Sequence, residues 1–74
     1  MHTIATVETW DGENGVGVLR GDAFPGGTCW VLWHTIDAPG YKTLTPGGAV
    51  EVDFEEVSQE GHSARAMRVI PIVT

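Results

Sequence analysis

The chain has 74 residues, with ten Asp and Glu against four Lys and Arg and a formal net charge of −6. That length leaves room for one modest core and one domain, residues 1–74, and the acidic balance disfavours a surface built to grip long polyanions. No apolar run nears the roughly 18 residues of a membrane helix, and no charged-then-apolar leader opens the chain, so a cytoplasmic protein without membrane contact is expected.

β-Branched and aromatic residues recur between Gly and Pro clusters, with no apolar residues at helical spacing, which predicts an all-β chain of five strands. The first strand covers about 4–10 and the second 16–20. They are joined as a hairpin by Asp11-Gly12-Glu13-Asn14-Gly15, residues that tolerate positive φ. The stretch 21–28, with Phe24 and the breaker Pro25-Gly26-Gly27, leads into the most apolar strand, 29–34. Residues 35–46 form a long connection, with a short helical turn expected near 34–37. In the fourth strand, 50–57, Val50, Val52 and Phe54 should face inward while Glu51, Asp53 and Glu55 face water. A polar loop, 58–62, precedes the last strand, 63–69. Its Ala64 and Ala66 suit a tight barrel corner, and Pro71 is expected to end its pairing. Closing five short strands removes most exposed edges, so a five-stranded antiparallel β-barrel is the expected architecture.

Several phrases carry a resemblance to a known family. Asn14-Gly15-Val16-Gly17-Val18-Leu19 resembles the Lys-Gly-Phe-Gly-Phe motif of the bacterial cold-shock domain, and Cys29-Trp30-Val31-Leu32-Trp33 its Val-Phe-Val-His-Phe motif. Tyr41-Lys42-Thr43-Leu44 is similar to the family's Phe-Lys-Thr-Leu, and Gly47-Gly48-Ala49-Val50-Glu51-Val52 to its Gly-Gln-x-Val-x-Phe. The match spans nearly the whole chain. It implies an OB-fold barrel that binds single-stranded RNA or DNA, without metal or cofactor, by stacking bases on exposed rings beside a few lysines.

Carried over by position, aromatic character stands at Trp10, Trp30, Trp33 and Tyr41, while other ring positions hold Thr9, Val16, Val18 and Leu32. Lysines beside the face become Glu8 and Asn14. Stacking contributes roughly 1–3 kcal/mol per base, so losing three or four rings removes several of the roughly 8 kcal/mol that define micromolar affinity. The resemblance therefore implies weak, sequence-tolerant binding. Phe24 is expected to act as a substitute ring in a lengthened loop and Lys42 as the nearest cation, while His34 is open to two readings, a base contact by stacking or hydrogen bonding, or a strand-end histidine satisfied by backbone.

Strand alternation puts Trp30 and Leu32 on one face and Cys29 and Val31 on the other. With the family topology the face of Val16, Val18, Trp30 and Leu32 points outward. Trp10 and Trp33 lie where twist and bulging break the alternation, and their side stays open. An outward apolar cluster also fits a second reading, in which the face is a homodimer or protein-partner surface.

His2, His34, His62 and Cys29 lack metal-ligand spacing, and Cys29 reads as a structural core residue. Glu51, Asp53, Glu55, Glu56 and Glu60 read as a solvated face. No nucleophile elbow, phosphate-cradling loop or histidine-carboxylate constellation occurs, so no catalytic residues are assigned and an enzyme is not expected.

Overall fold

Apolar residues at a period of two build five strands in the computed structural model, which describes residues 1–40 and 42–72. These are β1 His2–Asp11, β2 Val16–Arg20, β3 Thr28–Leu32, β4 Ala49–Glu55 and β5 Arg65–Pro71. They close in the order β1-β2-β3-β5-β4, with β1 paired to both β2 and β4. The purely antiparallel barrel needs one correction, because β3 and β5 run parallel where Trp30 meets Arg65. The topology forces this. β4 is antiparallel to β1 and β5 antiparallel to β4, so β5 arrives beside β3 running in the same direction.

Alternate residues of the strands fill the interior except where β1 and β5 are irregular; in β5 the buried Ala66 and Val69 are three residues apart, across a register shift against β4. Leu19, Cys29, Val31, Val52 and Val69 are completely excluded from solvent, and Val7, Val50, Phe54, Ala64 and Ala66 complete most of the packing. A bulge in β1 between Val7 and Thr9 shifts the alternation, so that Trp10 pairs with inward-facing Gly17 and packs against the core. Trp10 is therefore half-buried on the inner side of the barrel mouth, its indole N–H buried without an acceptor among the described residues.

Every strand but β2 departs from its expected bounds by one or two residues at each end. β3 stops at Leu32, because Trp33–Thr35 forms a 3-10 turn fastened by the Thr35 hydroxyl donating to the Leu32 carbonyl at 2.7 Å and Ile36 N–H to Trp33 O at 3.1 Å. β4 ends at Glu55. β5 starts later, at Arg65, and includes Pro71, which sits opposite Val50 as the final residue, where a missing N–H costs least.

Phe24 also departs from its expected role. The 3-10 turn Pro25–Gly27 and the bonds Gly21 N–H to Gly27 O (3.0 Å) and Gly27 N–H to Phe24 O (2.8 Å) fold the β2–β3 loop back on itself. The Phe24 ring lies in the core, 2% exposed, edge-on to Phe54 with centroids 4.8 Å apart. A ring so enclosed has no face to offer a base.

Cys29 is fully buried, and desolvation pushes its thiol up to about 12, so it stays protonated at neutral pH. We expect the native protein to leave a disulfide exchange reagent such as DTNB unreacted at neutral pH and to react with one equivalent in denaturant. Rapid native labelling would show that β3 opens locally.

Most cations are already engaged. Arg65 bonds Glu55 and, at 2.9 Å, Gln59; Arg68 bonds Asp37; Arg20 lies 3.8 Å from Glu8. His2 pins β1 to β4 through Nδ1 to Asp53 at 2.6 Å and Nε2 to Glu51 at 3.4 Å. The Asp53 hydrogen bond foremost raises its pKa above 6.5. What this pin adds to stability is thus full below the ordinary imidazole pKa and lost as pH rises through the raised one.

Candidate functional site

The β2–β3 register sets the outer face. Val16 pairs with Leu32 and Val18 with Trp30, all four half-exposed, while Gly17, Leu19, Cys29 and Val31 occupy the opposite, buried side. β1 extends this face with Thr9 opposite Val18 and Asp11 opposite Val16. The aliphatic pair and the Val18–Trp30 pair are thus two consecutive steps of one surface.

Trp33 lies at the end of that surface and is 51% exposed. The β1–β2 turn fixes it there. Gly15 adopts φ +70 and accepts the Trp33 N–H at 2.7 Å, and a Cβ on Gly15 would come within 2.5 Å of Trp33 Cδ1. The ring can lie along the turn only because the residue beneath it has no side chain. Between the turn, Trp33, Gly40 and Lys42 runs an open cleft. Lys42 donates its ammonium to the Ala38 carbonyl and, among the described residues, is the one Lys or Arg without a carboxylate partner. Tyr41 lies outside the described residues.

A second cleft holds Trp30. Its floor is Val16, Gly17 and Val18, and the β4–β5 loop closes one side with Glu60 and His62. A tight turn with Glu60 at φ 52 and Gly61 at φ 81 brings the loop over β3, where His62 Nδ1 meets Thr28 Oγ1 at 2.7 Å. Past Leu32 a third groove contains His34, Gln59, Arg65 and the exposed Met67, and His34 stands edge-on to Trp33 with ring centroids 5.9 Å apart.

The charge around these clefts is mixed. Asp11 accepts the Asn14 side-chain amide at 2.7 Å and the backbone N–H groups of Asn14 and Glu13, and these bonds hold its carboxyl below the usual range. It therefore remains an anion at the edge of the face, with Glu60 on the other side.

Of the residues singled out in the sequence, the structure gathers Val16, Val18, Trp30 and Leu32 on one face, with Trp33, His34 and Lys42 at its end. Trp10 packs against the core and also lines the Trp30 cleft, while Phe24 lies wholly in the interior. Sequence reasoning missed Asp11, Glu60 and His62 as neighbours of the face. The last two arrive only because β5 closes on β3, and no local pattern announces that contact. Among the described residues no three His, Cys, Asp or Glu side chains converge in a metal-binding arrangement.

Comparison with known proteins gives one informative match. The chain is 33% identical over 64 residues to a cold shock-like protein of Thermotoga maritima, covering 86% of this chain and 92% of the relative. No protein-family model matches it.

Proposed function

The chain belongs to the cold-shock protein family, and from that membership we propose that it binds single-stranded RNA or DNA weakly and with little base preference. Bases stack on Trp30 and Trp33, the strand crosses Val16, Val18 and Leu32, and Lys42 lies toward the phosphates. The observation that carries this reading is the β2–β3 register, which turns Trp30 and its aliphatic neighbours outward next to an exposed Trp33. Stacking suits such a face because every base offers a π-surface, whatever its sequence. A single Lys or Arg without a carboxylate partner among the described residues, with Asp11 and Glu60 nearby, accounts for low affinity, since little counterion release accompanies binding. The role is binding rather than catalysis.

The test is tryptophan fluorescence of the protein titrated with short oligothymidine and oligouridine at low and high salt. We expect quenching that weakens with a shallow salt slope. Trp30→Ala should reduce affinity roughly tenfold or more while leaving the fold intact, and Val16→Phe with Val18→Phe should raise it at least about fivefold, as the stacking energy of a ring implies. A flat titration, combined with self-association that holds or strengthens in salt, would transfer the face to a protein contact.

A further inference from the structure

Electrostatic attraction for phosphate is scarce on this face, yet two of the three histidines border it. His62 shares the cleft of Trp30, and His34 stands against Trp33 in the adjoining groove. The third, His2, is tied to Asp53 and Glu51 on the β1–β4 side of the barrel. The three arginines are held by Glu8, Glu55 and Asp37. We propose that His34 and His62 make nucleic-acid binding proton-dependent, so that the face takes up a single strand more tightly in mildly acidic solution than at slightly alkaline pH. This inference rests on the reading of the face given above.

The groups facing each imidazole set the sign. His62 is met by the Thr28 hydroxyl from β3, by Asp11 across the cleft from β1, by Glu60 from its own loop and by uncharged Val16, Gly17 and Val18 from β2. Arg20, opposite Thr28 in the register, points its guanidinium toward Glu8. With His62 neutral the cleft carries two carboxylates and no cation of its own, and a phosphate entering it meets net repulsion. A proton on His62 adds a cation to that cleft and offsets one of its carboxylates. His34 is faced by Trp33, Leu32 and Thr35 of its own segment, by Gln59 from the β4–β5 loop, and by Arg65 and Met67 of β5. Arg65 is spoken for by Glu55 and Gln59, so a protonated His34 supplies the groove's available positive charge. An imidazole is the one side chain that changes charge between about pH 5 and 8 without special tuning. Binding of a polyanion and of the proton then reinforce each other, as linkage requires.

The test measures fluorescence titrations with a short oligothymidine at about pH 7.5 and about pH 5.5, on the intact protein and on His62→Gln, His34→Gln and, as a control for overall charge, His2→Gln. Circular dichroism at both pH values verifies the fold. We expect affinity to rise about three- to tenfold at the lower pH, and the salt slope to steepen by roughly 0.7 per added cation. The rise should shrink in each of the first two variants, vanish in their combination and persist in His2→Gln. Binding that is equal at both pH values, or a rise abolished by His2→Gln, would overturn the proton dependence and leave the stacking face standing. Absence of binding at both pH values would remove the stacking face, and the inference with it.

Discussion

Phe24→Ala is expected to cost about 3–5 kcal/mol of folding free energy, the range for deleting a buried phenylalanine ring. The ring is 2% exposed and stacks edge-on to Phe54, so truncation opens a cavity and removes an aromatic pair worth about 1 kcal/mol beyond its area. A domain of this size has a total stability of roughly 4–11 kcal/mol, so the loss takes from about a quarter to all of it. Urea denaturation followed by tryptophan fluorescence measures the loss, and Phe24→Leu should restore most of it. The same experiment separates the two roles open to this residue. If Phe24→Ala kept its midpoint and lost oligonucleotide binding instead, Phe24 would be a ring of the site and its enclosure in the core would be wrong.

Gly17→Ala is expected to destabilise the barrel by about 3 kcal/mol, at the upper end for an overpacked core. Gly17 has ordinary strand φ, so conformational freedom is not what the position needs; it needs space. A Cβ there would lie 2.5 Å from the Thr9 carbonyl oxygen and 2.7 Å from Trp10 Cε3. The carbonyl belongs to the bulged strand and cannot rotate away, so β1 and β2 must separate or the Trp10 ring must leave the barrel mouth. Denaturant midpoints give the energy, and a red-shifted emission of the folded variant would report Trp10 driven into water. A midpoint unchanged within about 0.5 kcal/mol, the size of an ordinary surface substitution, would mean that β1 does not press on Gly17 as closely as the structure has it.

These two residues show where local reading of the chain succeeds and where it stops. Val50, Val52 and Phe54 could be assigned to the inside, and Trp30 and Leu32 to one shared face, because period-two alternation is a property of the strand alone; that this face points outward comes from the family resemblance. The turn at Asp11 to Gly15 was equally legible from residue types. Trp10 was not, because a bulge is one extra residue in a pairing, visible only against the partner strand. Phe24 was misread for a related reason. Its loop looks like an exposed insertion in sequence, and only the Gly21–Gly27 backbone bonds turn the ring inward onto Phe54.

The site divides along the same line. Which residues of a single strand share a face follows from alternation, and the shortage of cations from composition, since both are counted along one chain, whereas joining Val16 and Val18 to Trp30 and Leu32 takes the pairing of two strands. That the arginines are already bound to carboxylates, that Gly15 seats Trp33, and that His62 and Glu60 stand beside Trp30 all depend on contacts between residues distant in sequence. Closure of β5 against β3 creates the last of these. The parallel pairing follows from the order of five strands around a ring, a constraint on the whole barrel that no segment of it expresses.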